Sequence, residues 1–131
     1  MEKEIIDFLN FKGFKTIQSN QSSSFGEYYN VLSNGIIKFR FVKSRSGETI
    51  DIQKIGLNEQ WYDIALVKAL LHGKDKAGLD KPLSLEGYIA FLQDEFMPIL
   101  VLFNDSNYLA TKERLTALGN ERAQRMFPGI E

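Results

Sequence analysis

The order of apolar and polar positions divides this chain into a strand-rich first half and a helical second half. An amphipathic helix is predicted over Glu2–Phe11, because its apolar residues recur at helical spacing and Gly13 supplies a left-handed stop. Between residues 25 and 55 the apolar positions alternate with period two, which is typical of half-buried strands. After residue 57 the spacing becomes helical again. A short strand is also possible over Phe14–Gln18, before a polar loop at Ser19–Ser24.

These elements predict an α+β fold in which residues 1–131 form a single domain. The expected order is an N-terminal helix, a three- or four-stranded antiparallel meander, and three or four helices packed on one face of the sheet. At this length a chain buries enough apolar surface for one core without disulfides or metals.

Two independent signals favour one register for the second hairpin of the meander. Lys43 is placed opposite Glu48 beside the turn. Further into the two strands, Arg40 then faces Asp51, so opposite charges meet across the strands. Gln53 lies on the same face as Arg40. The other face of the sheet becomes apolar, and it carries Phe39, Phe41, Ile50 and Ile52.

The first hairpin is signalled by Asn34-Gly35, since both central positions of a tight hairpin turn favour such residues. Two registers are open. A two-residue turn at this dipeptide directs Tyr28 toward the core together with the polar Asn30. A slip by one residue directs Tyr29 toward the core instead and takes Glu27 with it.

Four helices are predicted in the second half, over Glu59–His72, Leu85–Phe96, Asn107–Leu118 and Asn120–Met126. Asn58 and Ser84 are the expected N-caps of the first two, and Gly119 is the expected stop of the third. The stretch Met97–Phe103 fits either a helix or a buried strand. Three residues of the first of these helices are expected to be buried against the apolar sheet face: Trp61, Ile64 and Leu71.

Composition excludes several kinds of chemistry. The chain has no Cys and one His, which excludes disulfides, thiolate zinc sites and multi-histidine metal sites. A net charge of −1 argues against nucleic-acid binding through bulk charge and against attachment to anionic membranes. No signal peptide, membrane span, phosphate-binding loop or hydrolase motif is recognisable. We therefore expect a cytoplasmic protein without cofactor or metal.

Few residues are candidates for catalysis. The single imidazole, His72, falls at a predicted helix C-terminus, where a surface or capping role is favoured. Asp51 could form an acid/base pair with Glu48 or with Asp63, although charged pairs on sheets are mostly structural. No enzymatic activity is expected.

The run from Ile36 to Leu71 contains IIKFRFVKSRSG, then ETIDI, then WYDIALVKALL. This order of a basic-aromatic strand, a Gly turn, an acidic strand and an apolar helix resembles the small immunity proteins of contact-dependent growth inhibition and other polymorphic bacterial toxin systems. The resemblance implies a protein without enzymatic activity. Its partner would be the C-terminal toxin domain of an effector, often a nuclease, whose active site or substrate path it blocks.

The predicted partner-binding surface is the sheet face that the helices leave open. Aromatic and Arg side chains can anchor a partner there, and acidic groups can oppose the basic residues of a nuclease. The candidate residues are Arg40, Glu48, Asp51, Gln53 and Tyr29. The alternatives to an immunity protein are a small adaptor or regulatory binding protein, and a carboxylate-dependent hydrolase.

Overall fold

The structure is a computed structural model that describes residues 2–22, 27–44, 47–73 and 84–126. The chain divides into two compact units, Met1–Asp63 and Ile64–Glu131. The first contains α1 (Glu2–Phe11), β1 (Lys15–Ser22), β2 (Glu27–Ser33), β3 (Ile37–Ser44), β4 (Gly47–Lys54) and β5 (Tyr62–Asp63). The second contains α2 (Ile64–His72), α3 (Leu85–Asp94), α4 (Phe96–Leu102) and α5 (Tyr108–Met126).

This element order confirms the predicted α+β class, with an N-terminal helix, an antiparallel sheet and then helices. The single domain over residues 1–131 and the packing of the helices on the sheet stay predictions. The strands form one antiparallel meander in the order β1-β2-β3-β4-β5, so the sheet has five strands where three or four were expected. β1 is also longer than predicted, because Ser19–Ser22 continues the strand instead of starting a loop.

The register of β3 and β4 is the predicted one. Phe39 lies opposite Ile52 and Phe41 opposite Ile50, and these side chains are buried. Arg40 faces Asp51 on the other side of the sheet. Phe14, which follows α1, packs its ring 5.3 Å from the ring of Phe39. The apolar side of the sheet is therefore the core of the first unit.

The first hairpin adopts the first of the two predicted face assignments, but its register is displaced by two residues. Leu32 pairs with Phe39, and the turn is centred on Gly35 and Ile36. The Asn34 side chain accepts the backbone N–H groups of both Ile36 and Ile37, each at 2.9 Å. Asn34 therefore precedes the turn, and Gly35 occupies its first central position. Gly35 has a φ of 90°, which this type of turn requires at that position.

The same register turns a polar side chain toward the core. Asn30 is 9% exposed and lies opposite Phe41. Its Oδ1 accepts a hydrogen bond of 2.8 Å from the hydroxyl of Ser19 on β1. A buried amide is tolerated in this position because it has a partner on the neighbouring strand.

The helix predicted over Glu59–His72 begins five residues later than expected, at Ile64. Asn58 is no N-cap: it has a φ of 61° and no helix begins there. Tyr62 and Asp63 pair with Ile52 and Asp51 of β4 as strand β5, and α2 begins at Ile64. Aromatic residues favour strands, and the open edge of β4 offers them backbone partners that a helical turn does not.

In the second unit, α3 is capped as predicted, since Ser84 Oγ accepts the N–H of Gly87. The ambiguous Met97–Phe103 stretch is helical (α4), with Pro98 in the first turn, where no backbone donor is needed. α5 continues through Gly119, which was wrongly expected to end it. A Cβ at Gly119 would lie 3.7 Å from Leu66 of α2, so the two helices approach closely at this glycine.

Among the described residues, no helix combines the length and the apolar character needed to cross a membrane. α2 ends at His72, and Gly73 follows it with a φ of 92°, as predicted. The predicted charged loop Lys74–Lys81 lies outside the described residues.

Candidate protein-recognition face of the sheet

The face of the sheet opposite the apolar core carries most of the predicted partner-binding residues. We call this surface the polar face, and its members are Tyr29, Lys38, Arg40, Asp51, Gln53, Trp61 and Asp63. Their positions follow from strand alternation and from the pairing of β2 through β5. All of them are half-buried.

Arg40 is held in place by Asp51 at the centre of the polar face. Its Nε and Nη2 donate to the same oxygen, Asp51 Oδ2, at 3.0 and 2.8 Å. The two side chains remain 25% and 15% exposed, respectively. Charge-assisted bonds from two nitrogens fix the plane of the guanidinium, so Arg40 presents a preorganised surface to solvent or to a partner.

Trp61 stacks on this fixed guanidinium. The Cζ atom of Arg40 lies 4.3 Å from the centroid of the Trp61 ring, within the range of a cation–π contact. The Lys38 ammonium is a second cation at 5.9 Å from the same ring. Gln53 Nε2 donates to the carbonyl of Glu59 at 2.7 Å, which ties the segment leading to Trp61 against β4.

The prediction that Trp61 is buried against Phe39 was therefore wrong. Trp61 is half-buried on the opposite face of the sheet, beside Arg40. Of the other two residues in that prediction, Ile64 is fully buried and Leu71 is half-buried. Alternation in Trp61-Tyr62-Asp63 was the signal that could have identified the strand, since it places Trp61 and Asp63 on one side and Tyr62 on the other.

Four of the five predicted contact residues share the polar face, and the fifth does not. Tyr29 lies there across from Val42, which settles the choice between Tyr28 and Tyr29. Glu48 pairs with Lys43 at the exposed end of the apolar face. It accepts a 2.9 Å hydrogen bond from the hydroxyl of Tyr28. Glu48 therefore lies outside the polar face, and the partner contact predicted for it is untested.

Two acidic residues lie opposite each other on the polar face. Asp51 and Asp63 are directly opposite each other on β4 and β5. Like charges at such positions repel, and the Arg40 guanidinium beside Asp51 offsets that repulsion. Among the described residues no cluster of three or more acidic or His side chains could hold a metal ion.

The single imidazole belongs to the second unit. His72 Nε2 lies 2.8 Å from Glu95 Oε1, and its ring stands edge-on to Phe91 at 5.5 Å. The sequence missed this contact, because Glu95 is 23 residues away along the chain. The pair links the C-terminus of α2 to the junction of α3 and α4, and His72 is exposed at the end of its helix.

A cavity of about 370 Å³ lies between α2 and α5 in the second unit. Small and apolar side chains such as Ala69, Leu70 and Ala117 line it, together with the charged Arg114 and Glu121. Its volume is at the low end for small-molecule sites. These residues provide no nucleophile and no pair of carboxylates, so the cavity has the character of a packing groove.

No protein-family model, no curated protein sequence and no solved structure matches this chain.

Proposed function

We propose that this chain is a toxin-neutralising immunity protein. Its partner is the C-terminal toxin domain of an effector of contact-dependent growth inhibition or of a related bacterial toxin system. It binds this domain, a nuclease in our proposal, and blocks the active site or the path of the substrate. The protein is not an enzyme, needs no cofactor and acts in the cytoplasm, where it would meet the entering toxin.

One observation carries this proposal: the stack of Trp61 on Arg40, fixed by Asp51 on a partly exposed sheet face. Trp, Tyr and Arg are the residues that most often dominate the energy of protein interfaces. Because Asp51 already orders the guanidinium, little side-chain entropy is lost when a partner covers it. The resemblance of residues 36–71 to immunity proteins supplies the kind of partner, and this segment contains the stack.

The charges of the polar face also suit a nuclease. Asp51 and Asp63 are opposite each other on β4 and β5, and both belong to the polar face. Basic residues that hold phosphate groups in a nuclease can pair with such carboxylates, which would occupy the place of the nucleic acid. Arg40 and Lys38 beside them add the opposite sign, so the surface favours a partner of mixed charge over one that is uniformly basic.

Co-purification with a specific neighbour tests this function. The protein encoded by the gene directly upstream is produced with a tag, together with the untagged chain, and the two are isolated through the tag. The proposal expects a stable complex and growth protection by the chain in cells that express the upstream protein. A toxin domain from an unrelated system serves as the control and should not be retained. Absence of both binding and protection would contradict the proposal.

An adaptor or regulatory binding protein is the main alternative, because the same polar face would serve it equally well. The co-purification experiment separates the two, since an adaptor gives no protection against the upstream protein.

The pairing of Asp51 with Asp63 favours a second alternative, a carboxylate-dependent hydrolase. In this case purified protein would turn over a substrate, and Asp63→Asn would abolish turnover while the protein remained folded. We expect no turnover in the wild type, because no activated nucleophile lies beside this pair among the described residues.

A further inference from the structure

The first strand of the sheet has an open outer edge. β1 pairs on one side with β2 and stands at the end of the sheet order. Its described side chains, at residues 15–20, are all exposed, including the apolar Ile17 at 58%. Within the described part of the chain, residues 15–22 make no backbone hydrogen bond outside the ladder to β2.

The hydrogen-bonding direction of this edge follows from strand alternation. Asn34 N donates to Ile37 O, which marks a hydrogen-bonded pair next to the turn of the β2–β3 hairpin. Bonding directions alternate along antiparallel strands, so Tyr29 and Val31 of β2 bond toward β1. Their partners Asn20 and Gln18 therefore bond inward, and the backbone N–H and C=O of Ser19 between them point outward.

From Gln18 to Ser22, this edge lacks the usual protection against pairing. Natural edge strands are blunted by charged side chains, Pro or bulges. The stretch from Thr16 to Ser22 reads TIQSNQS and has no charge and no Pro. One irregularity is present between Thr16 and Gln18, and the five residues after it pair regularly with β2. An uncharged, regular and exposed segment is thus available to accept another strand.

We propose that a second copy of this chain occupies this edge, with the two β1 strands antiparallel and joined into one ten-stranded sheet. Pairing centred on Ser19 brings the outward backbone groups of the two Ser19 residues together and sets Gln18 opposite Asn20 of the other copy. The identical edges carry no like charges that would meet. Lys15 is the charged residue of β1. In an antiparallel pair the two Lys15 side chains lie near opposite ends, whereas in a parallel pair they would be neighbours and repel each other. The antiparallel arrangement is therefore favoured.

A second copy fits this edge better than a foreign strand of a charged partner. The uncharged segment offers no counter-charge that would select such a strand, whereas amide and hydroxyl side chains hydrogen-bond equally well to their own kind. The two-fold axis of such a pair is perpendicular to the sheet. Both polar faces would then lie on the same side of the dimer and remain free to bind partners, so this inference does not depend on the proposed function.

Charge-swapped variants test the dimer. One variant carries Gln18→Lys with Asn20→Lys, and the other carries Gln18→Glu with Asn20→Glu. Both positions are exposed, and Lys and Glu are common on natural edge strands, so the fold should be retained and is checked by circular dichroism. Lys43→Glu, at an exposed position of the central strand β3, changes the net charge as much as the Glu variant and serves as the matched control.

Sedimentation velocity gives the mass of each species across a concentration series. The wild type and Lys43→Glu are expected to reach the mass of two 15.0 kDa chains. Each charged variant alone should stay at the mass of one chain, because four like charges face each other in its dimer. An equimolar mixture of the two should form a heterodimer. A wild type that stays monomeric, charged variants that still dimerise, or a mixture that stays monomeric would each overturn the proposal.

Discussion

Replacing Trp61 and Arg40 singly and together measures the energy of the stack that defines the polar face. Trp61→Leu removes the aromatic quadrupole and keeps an apolar side chain, and Arg40→Met removes the charge and keeps the stem. The guanidinium lies 4.3 Å from the ring centroid and is 25% exposed. Cation–π contacts contribute about 0.5–1 kcal/mol at exposed sites and about 2 kcal/mol when desolvated. This partly exposed pair should therefore couple by about 1 kcal/mol.

The coupling is obtained from the free energies of unfolding in urea of the wild type, both single variants and the double variant. Arg40→Met also leaves Asp51 without its ion pair, but this loss occurs in the single and the double variant and cancels in the cycle. A second cycle that pairs Trp61→Leu with Lys43→Met is the control. Lys43 lies on the other face of the sheet, so its coupling to Trp61 should stay within about 0.3–0.5 kcal/mol of zero.

A coupling of zero between Trp61 and Arg40 would refute the reasoning, because it would mean that the ring does not lie on the guanidinium. Phe39→Ala provides the scale for a true core residue. Phe39 is fully buried, and its removal should cost about 3–5 kcal/mol. If Trp61→Leu alone destabilised the fold as much as Phe39→Ala, Trp61 would belong to the core.

Substitutions at three further positions test local features by their effect on the free energy of unfolding in urea. Gly119→Ala should stabilise by about 0.5–1 kcal/mol, since the added methyl meets ordinary contact distance inside a helix, and a loss of stability would contradict the close but uncrowded approach of α2 and α5. Gly73→Ala should instead destabilise by about 1–3 kcal/mol, because the φ of 92° is strained for any L side chain; an unchanged stability would mean that α2 does not end on a left-handed residue. Ser84→Ala should cost about 0.5–2 kcal/mol through loss of the α3 cap, while Ser84→Gly should cost only a few tenths, and equal losses would exclude capping as the cause.

The sequence predicted those parts of the sheet where two constraints agree. In the second hairpin, alternation and charge pairing both require Arg40 opposite Asp51, and the structure has this register. In the first hairpin only one constraint was present. There the side chain of Asn34 accepts two backbone N–H groups, which moves the turn by one residue and the pairing by two. Such side-chain capping is local chemistry that the apolar pattern does not encode.

The site was predicted only in part, for a related reason. Apolar residues fill most positions of the run WYDIALVKALL, so a helical pattern fits it wherever the helix is assumed to begin. Periodicity therefore could not locate the start of α2. Pairing with β4, a contact between segments that are distant in sequence, makes Tyr62 and Asp63 a strand. This places Trp61 on the polar face, where it completes the stack with Arg40. The polar-face residues on β3 and β4 were predicted from the sequence. The position of Trp61, which precedes β5, was not.

The central claim, that the polar face binds the toxin, is tested most directly by two charge reversals on one strand. Asp51→Lys changes the polar face, and Glu48→Lys makes the same change three residues away on the opposite face of the sheet. Binding of each folded variant to the protein encoded directly upstream is measured by calorimetry. We expect Asp51→Lys to weaken binding by about 30-fold or more, which corresponds to a hot-spot loss of about 2 kcal/mol, and Glu48→Lys to bind within about threefold of the wild type. Wild-type affinity in Asp51→Lys, or a loss confined to Glu48→Lys, would contradict the claim.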